Sequence, residues 1–471
     1  MTTLQTPSRS TEASATRWLP LAVLLSGTFL VVLDFFIVNV ALPSIQGDLG
    51  AGDSALEWLV AGYGLTFGGL LMAVGPVSQR WGRRRTYVAG VLVFVLASAL
   101  CGVAPDVLTL NAARLLQGVG AAMLAPMVLA LIGDLYAGPE RVRAMSAYAT
   151  VMGLAAALGQ LIGGVLIRVD VAGLGWRTVF LVNIPVGLAI VAAAPRLLPA
   201  AGSRQRAPLD VLSLVLVVTT SAAVLLPLLE GRRLGWPLWT WESLALGALL
   251  GTWLARRTRR LAARGGHPLV DPAAFRSPAV RGGLVAQALL FCGMASYFLV
   301  LGLYLQVGHG LGPLGSGLIF TVMAVTYMVG TRHAAGLVAR FGARVLPVGA
   351  LVFAAGHLLT FAAVEQIGVT GSVLWLAPGL AVSGLGMGVC LSSLVASVMA
   401  GVEPVHAAGV SGSLSTVQQL GNALGVALIG LVFFGATDRG VDVAFTQSLL
   451  WLAGATLVLA AVTARLGRWV A

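Results

Sequence analysis

The chain has 471 residues, of which only 10% are charged where a globular average is about 25%, while 58% are hydrophobic and the mean hydropathy is +0.93. Its apolar residues fall in long unbroken runs, so the class is an all-α polytopic membrane protein, and fourteen spans of roughly 20 residues leave chain for short loops but not for a separate catalytic or nucleic-acid-binding domain. The net charge of +12 is therefore loop charge, and no nucleic-acid partner is expected.

In chain order, residues 1–18 are polar and rich in Ser and Thr. The run that follows is too long for a signal-peptide core and carries Asp34 well inside it, so it is expected to stay as an anchor. Apolar runs bounded by Arg, Pro and Gly predict helices over residues 19–42, 56–76, 86–104, 107–134, 143–168, 178–199, 211–229, 241–256, 279–306, 314–338, 345–364, 373–400, 408–436 and 446–465. The eighth is barely long enough to span. These runs divide the chain into a polar cytoplasmic segment (1–18), a six-helix bundle (19–199), an inserted helix pair with a basic linker (200–278), a second six-helix bundle (279–465) and a cytoplasmic tail (466–471). Cys101, Cys292 and Cys390 all lie in apolar runs and read as packing residues.

The arginines test the helix count. With fourteen helices, Arg80, Arg83, Arg84, Arg85, the cluster from Arg256 to Arg264, Arg340 and Arg344 gather on the side that holds both termini, whereas only Arg168, Arg177, Arg232, Arg233 and Arg439 fall on the other. Basic loops mark the cytoplasmic side, where anionic lipid headgroups meet them, so both ends are expected in the cytoplasm and the protein in the cell (inner or plasma) membrane. An internal repeat supports the same layout: Arg80, Trp81 and Gly82 after the second predicted helix align with Arg340, Phe341 and Gly342 after the tenth. Two related bundles that rock about a midplane site are what alternating access requires.

Asp34 lies about two-thirds along the first predicted helix, where an ionised carboxylate costs about 2.5–3.5 kcal/mol on insertion scales. It is expected either to bind a proton or cation or to pair with a neighbouring helix. Arg114 lies within the fourth predicted helix beside Gly118 and Gly120, which admit another backbone closely, and Asp34 is its obvious buried counter-charge. The pair would either exchange a proton or hold the bundle together. Gly159, Gly163 and Gly164 form a packing groove on the fifth helix. Asn39, Gln117, Gln160, Gln418 and Asn422 could reach a solute in a central cavity or bond between helices, and Asn39 with Pro43 also suits packing and a helix end. Glu57, Asp134, Glu230, Glu365 and Glu403 fall near helix ends and read as solvated charges, and His333 and His357 as hydrogen-bonded packing residues. Asp34 is then the one mid-span carboxylate, which favours neutral or singly cationic cargo. There is no metal-ligand spacing, no nucleophile motif and no phosphate-binding glycine loop, so neither an enzyme nor a sensor is expected, and no cofactor or metal.

These residues resemble the major facilitator superfamily, and within it the fourteen-helix drug:proton antiporter branch, over essentially the whole chain. Asp34 to Pro43 is similar to the family's first-helix signature. Gly75, Gln79, Arg80, Gly82, Arg83 and Arg84 fall in its conformational loop signature, and Leu110 to Ala122 in its fourth-helix signature. Gly159 to Gly164 resembles the antiporter signature, and Trp176-Arg177-x-x-Phe180-x-x-Asn183-x-Pro185-x-Gly187 the start of the sixth helix. The resemblance implies two pseudo-symmetric bundles, export of hydrophobic small molecules driven by the proton gradient, Asp34 and Arg114 in the coupling machinery, and a monomer. Two positions depart from it: Gln79 stands where the loop signature has an acid, leaving Arg80 and Arg83 to other partners, and Gln160 stands where the antiporter signature has Pro. Uptake or exchange of a nutrient or organic anion, with Arg114 holding the substrate charge, is the alternative.

Overall fold

Each predicted apolar run is helical, and most helices overrun the run that predicted them. The computed structural model describes residues 10–199, 210–264, 266, 277–400 and 407–470. Its helices are α1 (Ser10–Leu49), α2 (Asp53–Trp81), α3 (Arg83–Gly102), α4 (Val107–Leu135), α5 (Gly138–Val169), the short α6 (Thr178–Leu181) continued by α7 (Asn183–Leu197), α8 (Val211–Leu234), α9 (Leu238–Ala263), α10 (Pro278–Leu303), α11 (Pro313–Phe341), α12 (Val345–Ile367), α13 (Ala377–Ala400), α14 (Ala407–Phe434) and α15 (Val441–Val470). In lipid every backbone polar group needs an internal partner, which favours carrying helices on into their polar flanks. Thus α1 begins inside the stretch read as a polar segment and passes through Pro43, which does not end it. Glu403 lies outside the described residues.

Ten described stretches are long and apolar enough to cross a membrane, or eleven if the bent pair within α5 is one span, and one of the ten, Pro313–Ile367, runs over both α11 and α12. The chain is therefore a multi-pass membrane protein. The eighth predicted helix is α9, whose 26 residues are about 39 Å long at the helical rise, ample for a bilayer core, though it is not among the ten apolar stretches.

Packing repeats between the two ends of the chain. α3 packs on α4, α2 on α4 and α1 on α5, and in the same relation α12 packs on α13, α11 on α13 and α10 on α14. The aligned tripeptides are also alike in shape. Gly82 and Gly342 both have positive φ, +93° and +61°, and each donates its N–H back to its own helix, to Ser78 and Val338 respectively. A side chain with a β-carbon is disfavoured there, which accounts for glycine at both sites. The preceding Trp81 and Phe341 are 55% and 53% exposed. What looked in the sequence like a loop from Gly75 to Arg85 is thus a single residue, Gly82, between two helices.

The inserted helices α8 and α9 pack on each other, and α8 lies along α2 and α14. Arg257 of α9 ties this hairpin by donating to Asp210 Oδ2 (2.6 Å) and Ser213 Oγ (2.7 Å). Burial raises the Asp210 pKa, but the Ser213 hydroxyl and N–H and the Arg257 guanidinium together outweigh it and hold the carboxyl below its ordinary value. Its contribution is therefore complete above the unfolded-state pKa of about 4 and is lost as pH falls through the lower folded value. Asp210→Asn is expected to lower the melting temperature at pH 7 by the equivalent of about 1 kcal/mol, with the difference from wild type vanishing at strongly acid pH in a thermal-melt series.

Candidate functional site

Two faces frame the site. The face where α1 starts, called here the basic face, holds Arg17 paired with Glu140 (2.6 Å), Arg83 paired with Asp134, and Arg84 donating to the carbonyls of Pro195 (3.2 Å) and Leu198 (3.1 Å) at the end of α7. Asp134 is exposed, as its place near a helix end suggests, and is also the ion-pair partner of Arg83. It supplies an acid for Arg83 in a chain whose own loop has Gln79, half-buried at the end of α2; Arg80 is exposed beside it. The opposite, far face holds Asp48 with Trp176 (2.9 Å) and Arg177 (2.6 Å), and Asp53 with Arg232 (3.1 Å).

Between these faces, inside the first bundle, Asp34 and Arg114 meet, both 0% exposed. Arg114 Nη1 donates to Asp34 Oδ2 at 2.5 Å and to Gln117 Oε1 at 2.6 Å, and its Nε donates to the Leu59 carbonyl at 3.0 Å. The guanidinium also lies 4.5 Å from the centre of the Tyr63 ring and 5.7 Å from that of Phe180, close enough for cation–π attraction. The other carboxylate oxygen, Asp34 Oδ1, accepts from Gln117 Nε2 (2.8 Å) and Asn183 Nδ2 (2.9 Å). Ser98 Oγ accepts from the same two amides, at 2.8 and 3.2 Å. A buried ion pair is tolerable only when its remaining hydrogen-bonding capacity is largely met, and five helices contribute to meeting it here. Arg114 Nη2 and Asn183 Oδ1 remain without partners among the described residues.

Glycine makes this convergence possible. A β-carbon on Gly118 would fall 2.5 Å from the Tyr63 carbonyl, and one on Gly120 would fall 2.6 Å from the Phe94 nitrogen, so α4 can approach α2 and α3 only as it is. Gly159 faces Phe36 and Gly163 faces Val40 and Ile37 of α1, whereas Gly164 turns the other way, against Pro313 and Leu314 of α11. The antiporter-like signature therefore joins α5 to its own bundle and to the second one.

Ser98, Tyr63 and Asn183 belong to the site and were not expected there. A signal existed for Asn183. Arg177, Phe180 and Asn183 recur every three residues, which puts them on one helical face, and that face turns to Asp48, to Arg114 and to Asp34 in succession. Of the residues expected to line a cavity, Gln117 is committed to the ion pair. Asn39 bonds the Phe35 and Phe36 carbonyls of its own helix, both at 3.3 Å. Gln160 is buried where Gly317 of α11 packs on its backbone, Gln418 accepts from Gln287 (3.4 Å), and Asn422 donates to Gln419 (3.1 Å). They do not form one cluster. His357 is buried against Tyr297 and Phe353 with neither ring nitrogen bonded among the described residues, so it is a packing residue without the expected hydrogen bond.

Two repeat-related groups of membrane-crossing helices, the first enclosing an ion pair, make a polytopic helical membrane protein. The profile of the Major Facilitator Superfamily matches residues 24–426, and the chain belongs to that superfamily and is a transporter, not an enzyme. It is 38% identical over 440 residues to a puromycin resistance protein of Streptomyces alboniger, covering 91% of this chain and 85% of that one. A probable actinorhodin transporter of Streptomyces coelicolor is 37% identical over 424 residues, covering 89% and 73%. A cephamycin export protein of Amycolatopsis lactamdurans is 33% identical over 448 residues, covering 91% and 88%. Among solved structures, a POT family transporter in complex with a thioalcohol conjugated peptide matches with a TM-score of 0.70 over 96% of each chain at 16% identity, a likeness of fold alone.

Proposed function

We propose that this protein exports hydrophobic or amphipathic small molecules of the antibiotic type, neutral or singly cationic, in exchange for protons by alternating access. The observation that carries the coupling is the Asp34–Arg114 pair, a carboxylate fully enclosed in the first bundle with an arginine and two amides arranged around it. The cargo is inferred from likeness over most of the chain to relatives named for antibiotic transport, export or resistance. We place the chain in the fourteen-helix drug:proton antiporter branch, counting α2 and α9, 29 and 26 residues long, as spans. The basic face is then cytoplasmic, with both termini on it, in the cell membrane, as a monomer among anionic lipids. Cargo is assigned to the space between the halves, with polar groups from Gln160, Gln418 and Asn422.

The seam between α5 of the first half and α11 of the second suits this cycle. α5 meets α11 through Gly164 and Gly317 toward the far face, whereas a β-carbon on Gly153 or Gly336, toward the basic face, would meet nothing within 4 Å among the described residues. The arrangement is that of a carrier shut on the far side. Gly164→Leu is expected to wedge this seam, since a β-carbon there already falls 2.6 Å from the Pro313 carbonyl. Transport should drop at least about tenfold in a protein that still purifies as a folded monomer.

Efflux from proteoliposomes under an imposed pH gradient tests the proposal. Uphill export of a hydrophobic monocation that collapses with the gradient is the expected result. Counterflow that ignores the gradient would favour facilitated exchange and remove Asp34 from the coupling role.

A further inference from the structure

Glu57 lies one turn into α2, at the far-face seam where α2 of the first half meets α14 of the second, and it is 2% exposed, not solvated as its place near a helix end suggests. The facing residue on α14 is Gly430. A β-carbon there would fall 2.8 Å from Glu57 Oε2 and nearer still to the rest of the carboxyl, so only glycine leaves room for it. Glu57 has no ion-pair partner among the described residues, although charges surround it. On its own helix Asp53 pairs with Arg232 of α8 (3.1 Å). Also on α8, Glu230 pairs with Arg233 (2.9 Å) and accepts from Trp58 Nε1 (3.1 Å). Arg232 lies 5.4 Å from the centre of the Phe434 ring of α14, a helix with no titratable side chain along its length. From α4 the neighbouring group is the neutral Asn111, bonded to the Ala55 carbonyl, and Asp48 at the end of α1 is held by Trp176 and Arg177.

Three acids thus face two arginines, and both arginines are engaged. An ionised Glu57 would leave one unbalanced negative charge on a carboxyl that is itself enclosed, while the paired charges around it are partly exposed, and a protonated Glu57 leaves none. We propose that Glu57 is a second proton-linked residue of the transport cycle: its carboxylate takes up a proton from the far side as the halves close there and returns it to that side as they part. No proton crosses the membrane on it, in contrast to the role proposed for Asp34. Acid on the far side favours closure, and alkali favours opening. The inference rests on alternating access and adds to it a pH-governed outer seam.

The test uses the full chain in lipid nanodiscs with Cys101→Ala, Cys292→Ala and Cys390→Ala. Spin labels go on Val171→Cys and Leu374→Cys, exposed residues on far-face connections of the first and second halves. Pulsed distance measurements from pH 5 to pH 9 should show a wide-separation population that grows at least about threefold with rising pH. In Glu57→Gln it should stay closed throughout, and in Glu57→Asp the pH dependence should persist. A wild-type shift retained unchanged in Glu57→Gln overturns the proposal and leaves alternating access standing. So does a wild type insensitive to pH while Gly430→Leu, whose bulk forces the seam, widens the distance. Labels immobile in every variant, Gly430→Leu included, would remove alternating access at this face and the role of Glu57 with it.

Discussion

Asp34→Asn is expected to lower pH-gradient-driven efflux at least about tenfold while leaving a folded, inserted protein. The second half of that statement separates coupling from architecture. If Asp34 is protonated in every cycle, the bundle already tolerates a neutral side chain there, and asparagine imitates that state. Arg114 would keep the Leu59 carbonyl and Gln117 Oε1 as acceptors. If the pair is a static strut, an uncompensated buried guanidinium costs about 3–5 kcal/mol, and the melting temperature falls with the transport rate. Parallel thermal melts and efflux assays on one preparation distinguish the two. An unshifted melt with lost uphill transport assigns Asp34 to coupling; unchanged uphill transport rejects that assignment.

Arg114→Ala should be the more damaging change. It removes donors from Asp34, Gln117 and Leu59 together, along with the cation over Tyr63, and strands a carboxylate inside the bundle. A loss of about 3–5 kcal/mol is expected, visible as poor monodispersity on size-exclusion chromatography and a depressed melt. Arg114→Lys keeps a charge but loses the planar fork that serves Asp34, Gln117 and Leu59 at once. Partial transport in the lysine variant would identify charge as the requirement, and a loss equal to that of alanine would identify geometry. The double variant Asp34→Asn, Arg114→Ala should be more stable than Arg114→Ala alone, because the stranded charge is gone; simple additivity would show that the two groups do not interact energetically.

The helices were legible in the sequence because a bilayer demands long apolar runs and places arginine at their ends, and both demands are written locally. The ion pair was legible for a related reason: two opposite charges too costly to leave alone in lipid imply each other. Ser98 was not, because a single polar side chain in an apolar run looks the same whether it bonds its own helix, as Asn39 does, or reaches across to other helices. That choice is made by the rotation of one helix against another, which apolar runs do not record. Glu57 was misjudged by its nearness to a helix end. A helix end is solvated only if nothing packs on it, and α14 covers this one.

Among the described residues all the side-chain partners of Asp34 come from α4 and α7, and none from α10 to α15. The chain is symmetric in architecture and lopsided in chemistry. If Asp34 couples transport to protons as proposed, a chimaera that keeps residues 1–199 and borrows the remaining helices from a relative with different cargo should inherit its energy source from one parent and much of its selectivity from the other.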